Sequence, residues 1–180
     1  MDGALDRPLR DEIVTQRLRI RRPKPADVGA IARLAGDYAI CSMTTRMPYP
    51  YAENDARAFV DLVSAQNRRT ENTFVIDHAD EGLVGAVGFH HPMGQPLEMG
   101  YWIGRPYWGR GYATEACLGA LGWAQTDWRR KVVVAGHFAD NAASAQVLVK
   151  TGFLYTGEVQ TRHSRARGAA VQTRMMVWLA

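Results

Sequence analysis

The sequence predicts an α/β (α+β) domain of six to seven strands and about four helices, with its chemistry at one strand-to-helix turn. Three observations carry that expectation. Apolar residues recur every second position in some segments and every third or fourth in others, and the two kinds of segment are interleaved. Residues 73–77 and 83–90 are rich in β-formers and flank Asp80, Glu81 and Gly82, a hairpin signature. Residues 98–103, again strand-like, run through a glycine-bearing segment at 105–111 into a helical stretch.

Taken in order, residues 18–22 alternate apolar and charged side chains and form the first strand. Pro23 and Pro25 interrupt it, and Val28, Ile31 and Leu34 then recur at helical spacing over 26–35, with Asp27 suited to the positive end of the helix. Residues 38–51 hold Pro48 and Pro50 and no period, so they read as a loop or broken helix bordering a substrate site. Ala56, Phe59, Val60 and Val63 mark a second helix behind the acidic Glu53 and Asp55. After the hairpin and a break at 94–96 come the strand 98–103, a helix over 112–127 and a β-branched strand over 131–138. A helix over 141–150, opened by Asp140 and Asn141 and stopped by Gly152, precedes two strands at 153–159 and 173–179 around an arginine-rich connector.

At 180 residues, 47% hydrophobic and 22% charged, the chain has the size and composition of a single domain over 1–180. No apolar run approaches the roughly 20 residues of a membrane span, and residues 1–10 lack the apolar stretch of a secretory signal, so the expected location is cytoplasmic. Cys41 and Cys117 have no spacing that implies a metal cage or a disulfide and read as packed thiols. Of 22 basic residues 19 are arginine, in a net charge of +4, which favours phosphate or carboxylate partners. The clusters Arg129, Arg130, Lys131 and Arg162, Arg165, Arg167 carry no nucleic-acid motif and read as solvated faces; the second can instead border an acceptor site and select an acidic peptide.

The most informative stretch is Gly109-Arg110-Gly111-Tyr112-Ala113-Thr114-Glu115-Ala116. Glycines let the backbone turn tightly, and the unpaired amides of a first helical turn, with the positive end of the dipole, can hold a pyrophosphate. Before it stands Gly100-Tyr101-Trp102-Ile103, and after it Asn141-Ala142-Ala143-Ser144 and Lys150-Thr151-Gly152-Phe153. Together these motifs resemble the GCN5-related N-acetyltransferase (GNAT) superfamily, and within it the branch of ribosomal-protein N-terminal acetyltransferases.

The resemblance implies a mixed, mostly antiparallel sheet with a central pair of parallel strands, 98–103 and 131–138, splayed to admit acetyl-CoA. Trp102 and Ile103 would meet the pantetheine arm through their main chains, amides from Gly109, Arg110, Gly111, Tyr112, Ala113 and Thr114 would bind the pyrophosphate, and Asn141 would fix the arm from the other side. Trp108 stands where the broad superfamily has Gln or Arg, and Lys150 can reach a cofactor phosphate. Where the superfamily often has an acidic tyrosine, this chain has Leu148, which leaves Ser144 as the hydroxyl near the sulfur.

Acetyl transfer to an amine needs a proton acceptor for the amine and a proton for the departing thiolate. Glu98, at the head of the cleft strand, is the candidate base, with desolvation expected to raise its pKa; Ser144 is the candidate acid. Tyr49 and Tyr51, in the broken loop, and His137 are candidate acceptor-site residues. His90, His91 and Glu98 lack a regular ligand spacing, so no metal is expected. The acceptor is a protein or peptide α-amino group, such as a ribosomal N-terminus, or alternatively a small amine; a non-catalytic acyl-CoA-binding module is a third reading. A homodimer is a further expectation from the family.

Overall fold

The computed structural model describes residues 9–92 and 96–180; the break read at 94–96 and the chain start at 1–10 lie largely outside that range. Its strands are β1 (Glu12–Val14), β2 (Leu18–Arg21), β3 (Asn72–His78), β4 (Gly82–His90), β5 (Glu98–Ile103), β6 (Val132–Phe138), β7 (Leu154–Ser164) and β8 (Ala169–Leu179). The helices are α1 (Val28–Ala35), α2 (Tyr38–Cys41), α3 (Glu53–Ser64), α4 (Tyr112–Thr126) and α5 (Ala142–Lys150). One sheet of eight strands runs β1-β2-β3-β4-β5-β6-β8-β7, with every pairing antiparallel except β5 with β6.

Each strand face is covered according to its pattern. On β3, Phe74 and Ile76 join the core beneath α4, while Val75 points the opposite way onto α1 and α3, so the strand is apolar on both faces. α1 buries Val28, Ile31 and Leu34, and α3 buries Ala56, Val60 and Val63. Asp55 caps α3 by accepting from the Ala52 amide at 2.8 Å. Met99 and Ile103 of β5 enter the α4 core, and the alternation puts Glu98, Gly100 and Trp102 on the α1/α3 face. Cys41 and Cys117 are free and buried.

Two expectations need correction. Among the described residues the sheet has eight strands and there are five helices, more than the six to seven and about four expected. The extra strand, β1, is three residues long with only Ile13 buried, too short to show a period. The arginine-rich connector is largely strand. β7 lies at the sheet edge and is exposed almost throughout, so its residues carry no apolar alternation to reveal it.

The feature that positions the site is the junction of β5 and β6. Seven residue pairs join β6 to β8, whereas β5 and β6 share one, Glu98 with Val134, beside a 2.8 Å bond from the Val134 amide to the Leu97 carbonyl. Beyond it the two strands part.

Candidate active site

A single cleft of about 1580 Å³ is lined by both parted strands, the turn before α4, the start of α5, the loop after α2 and the β7 side of the sheet. Sites for one small ligand run to roughly 300–1,000 Å³, so this volume accommodates two substrates side by side.

The pleat decides which main-chain groups face the gap. The Gly104 amide donates to the Val84 carbonyl at 2.8 Å, which makes Ala86 with Trp102, and Gly88 with Gly100, the hydrogen-bonded pairs of β4 and β5. Tyr101 and Ile103 therefore turn their main chains into the gap, while the main chain of Trp102 is spent on β4. Trp102 lines the cleft through its side chain, which corrects the expectation that its backbone faces a ligand. The Ile103 carbonyl is itself occupied: the indole N–H of Trp108 donates to it at 2.6 Å, tying the turn to the end of β5.

In the turn, Gly109 and Gly111 have φ of 75° and 78°, the left-handed region that glycine adopts without steric cost. The first α4 bond runs from the Glu115 amide to the Gly111 carbonyl at 3.1 Å, so the amides of Tyr112, Ala113 and Thr114 leave the helix N-terminus without intrahelical partners. Among the described residues no side chain caps this end. The donors, the dipole and the opening beside them suit a pyrophosphate.

Glu115 holds the turn in place. Its carboxylate accepts from the Thr15 hydroxyl at 2.6 Å and from the amide and Nε of Arg17, both at 2.7 Å. Burial works to raise its pKa, but these bonds together outweigh burial and hold the carboxyl below its ordinary range. Arg17 also donates to the Arg110 carbonyl at 3.0 Å and lies over the Tyr112 ring. Sequence reading missed Arg17, whose role depends on a turn nearly a hundred residues away. The Arg110 side chain leaves the cleft to pair with Glu81 at 2.7 Å, so only its backbone belongs to the turn.

On the α5 side, Asn141 caps the helix: its Oδ1 accepts the Ser144 amide at 3.0 Å, leaving its NH₂ for the cleft. Ser144 is thereby free of capping duty, and its Oγ stands 2.8 Å from the Tyr101 hydroxyl. Burial first and the nearby Cys117 second push the Tyr101 pKa up. The hydroxyl pair was not legible beforehand, because residues 43 positions apart make it. Lys150 is exposed at the cleft edge, in the last turn of α5.

Glu98 is 6% exposed and lines the cleft. Both its oxygens accept from Arg162 of β7, at 2.6 and 2.9 Å, and Arg162 is held in turn by the Gln160 side chain at 2.9 and 3.0 Å. Arg162 passes over Gly136 of β6, where an added Cβ would lie 3.5 Å from its guanidinium. A carboxylate has about four lone-pair sites, so two remain for water or an amine.

The other expected acceptor residues separate. Tyr51 lines the cleft, its pKa pushed up to about 12 by burial first and Asp55 second. Tyr49 is half exposed, packs edge-on against Tyr38 at 4.9 Å and does not line the cleft. His137 lines it, yet Nδ1 is 2.9 Å from the Phe138 carbonyl and Nε2 is 3.0 Å from the Tyr155 hydroxyl, so both nitrogens are engaged within the protein. Among the described residues no group of three or more His, Cys, Asp or Glu could hold a metal ion, and no helix is long and apolar enough to cross a membrane.

The sequence and architecture match known proteins. Residues 17–154 match the Acetyltransferase (GNAT) domain family. An uncharacterized N-acetyltransferase p20 of Bacillus licheniformis is 21% identical over 170 residues, covering 92% of this chain and 94% of that protein. A ribosomal-protein-serine acetyltransferase of Escherichia coli is 30% identical over 110 residues, covering 59% of this chain and 60% of that protein. Among solved structures, Mycobacterium smegmatis RimJ in complex with CoA-disulfide superposes with a TM-score of 0.81 at 22% identity, over 94% of this chain and 88% of that one. With the family match spanning both parted strands, the glycine turn and α5, the chain belongs to the GNAT family of acetyltransferases.

Proposed function

We propose that this acetyltransferase moves the acetyl group of acetyl-CoA to a primary amine, and that the amine is a protein or peptide N-terminal α-amino group. The observation that carries the reading is the gap between β5 and β6, with the free amides of Tyr112, Ala113 and Thr114 at one end and the Glu98–Arg162 and Ser144–Tyr101 pairs beside it. Acetyl-CoA supplies an activated thioester. In this reading the turn amides hold its pyrophosphate, the gap-facing main chains of Tyr101 and Ile103 align its arm, and Asn141 and Lys150 border it.

Glu98 accepts the proton of the incoming amine on a lone pair that Arg162 leaves open, directly or through a water. Ser144 gives a proton to the departing sulfur and is reprotonated from solvent, while Glu98 releases to solvent the proton it took from the amine; the Tyr101 hydroxyl holds the Ser144 Oγ in position. A thiolate is a tolerable leaving group, so this second step asks for less than the first. Trp102 and Tyr51 shape the acceptor side of the same cleft. The peptide acceptor draws support from the ribosomal-protein-serine acetyltransferase among the relatives.

Calorimetric titration with acetyl-CoA, followed by a thiol-release screen over peptides with varied N-termini and a panel of small amines, tests the reading. Binding with turnover of peptides is the expected result. Turnover of small amines alone would overturn the acceptor, and absence of binding would overturn the cofactor.

A further inference from the structure

The loop after α2 and the tip of the β7–β8 hairpin are sewn together across the acceptor side of the cleft. The Arg165 amide donates to the Thr45 carbonyl at 3.0 Å, the Ser164 hydroxyl to the Thr44 carbonyl at 3.1 Å, and the Arg167 Nε to the Ser42 carbonyl at 2.5 Å. This seam puts Arg46 and Arg165, both exposed and both lining the cleft, on adjacent chain segments.

The charges around the seam are unevenly settled. Arg162 is spent on Glu98 at 2.6 Å and Arg167 on Asp140 at 2.7 Å. Asp55 faces the Ala52 amide as a helix cap, and Glu71, the remaining carboxylate of the lining, precedes β3. Among the described residues no carboxylate forms an ion pair with Arg46 or Arg165. The expected Arg162, Arg165, Arg167 cluster is therefore divided: two of the three neutralise the protein's own carboxylates, and the third finds a new companion in Arg46.

We infer that Arg46 and Arg165 form an anion-reading pair at the acceptor entrance, selecting amines that carry a carboxylate a few bonds away, above all peptide N-termini with Asp or Glu at the second or third residue. The inference rests on the acetyltransferase reading of the cleft and narrows its acceptor. A guanidinium presents a planar fork of donors that matches a carboxylate, and two such forks flanking an opening repel a polyamine as strongly as they attract an acidic chain. The field of Arg46 reaches inward as well: it is among the charges that disfavour protonation of His90, which lies over Gly100 beside Glu98. Because the seam bond of Arg165 comes from its main chain, the side chain can be removed without cutting the seam.

The test compares three hexapeptides sharing one N-terminal residue and carrying Asp-Glu, Asn-Gln or Lys-Lys at positions two and three, alongside free amino acids and spermidine. The expected result is a kcat/KM about 5- to 10-fold higher for the acidic than for the amide peptide, carried by KM and shrinking as salt rises. In Arg46→Ala/Arg165→Ala the ratio should fall to about 1–2, and in Arg46→Glu the order of acidic and lysine peptides should reverse. Equal rates for all three peptides in the native protein, or a preference that survives the double substitution, would overturn the inference while leaving peptide acetylation standing. If no peptide turns over, the His90 ring resonances decide: a shift on adding the acidic but not the amide peptide supports the anion-reading pair, and no shift overturns it. Turnover of acidic free amino acids, lost in the double variant, supports the same pair with a smaller ligand.

Discussion

Glu98 on β5 and Arg162 on β7 meet in a two-pronged ion pair, with nitrogen-to-oxygen distances of 2.6 and 2.9 Å, although two other strands lie between theirs in the sheet. The carboxylate is nearly buried and the guanidinium largely so. Removing one partner leaves a charge stranded in the cleft. Arg162→Met should therefore destabilise the fold by about 3 kcal/mol, whereas Glu98→Gln/Arg162→Met should recover part of that loss, since a buried pair removed together costs less than one half of it. Urea unfolding of the two single variants and the double variant measures the coupling; strictly additive losses would show that the pair is not a unit.

Glu98→Gln also tests catalysis. Loss of the proton acceptor should cut kcat by about 100-fold or more, with the acetyl-CoA affinity nearly intact. An unchanged kcat would assign the proton to another group.

The hydroxyl pair of Ser144 and Tyr101 makes a graded prediction. Ser144→Ala should lower kcat by about 10- to 100-fold, and Tyr101→Phe by less, because Ser144 keeps its own proton. Both should leave the KM for acetyl-CoA within about 2-fold. A series of acyl thioesters with thiols of rising pKa sharpens the test, since dependence on Ser144 should grow along the series.

His90 gives the fold an acid limit. Its pKa is pushed down to about 4 by burial first, and by Arg46, Arg162 and His91, with Glu98 acting in the opposite sense. The unfolded chain binds this proton near pH 6.5 and the folded chain only near 4, so the unfolded state holds more protons between those values and stability falls as pH drops through that window. The total is on the order of 3 kcal/mol. Thermal melts between pH 7 and 4 should show the decline, and His90→Asn should flatten it.

Gly109 and Gly111 take left-handed backbone angles, and at Gly111 an added Cβ also meets Arg17 at 3.4 Å. Either glycine changed to Ala should cost about 1–2 kcal/mol of local strain and re-aim the turn amides, raising the acetyl-CoA Kd by about 10-fold or more. Gly82, the first residue of β4, has φ of 70° and open space around it, so Gly82→Ala is the control: similar strain with no change in acetyl-CoA Kd.

How much of this was legible in advance depends on where the information lies. The hairpin, α4 and the Gly152 stop were written in local periodicity and in residues with special backbone angles, and Gly152 does take a φ of 92°. The motifs at 100–116 and 141–153 pointed to the family for the same reason: the turn and the helix cap are built from neighbours in the chain. Side-chain partnerships were not legible. Nothing local in Arg162 assigns it to Glu98 rather than to a ligand, nor Arg17 to Glu115, nor Tyr101 to Ser144, because each pair depends on how strands far apart in sequence align. Trp102 shows the finest grain of the problem, since a shift of one residue along a pleat exchanges the main chain that faces the gap for the one that faces β4.

The single rung between β5 and β6 has a mechanical consequence. Considered as a sheet alone, the molecule is two plates, one of five strands and one of three, which share Glu98 with Val134 and are clamped above that rung by Arg162 reaching across to Glu98. Anything that bonds to the inner edges of both plates acts as a wedge and a weld at once, holding the opening at a set width while joining what the ladder leaves unjoined. Stiffness of the whole sheet is then a property of the loaded protein, and amide exchange along Tyr101 and Gly136 is where that stiffening registers first.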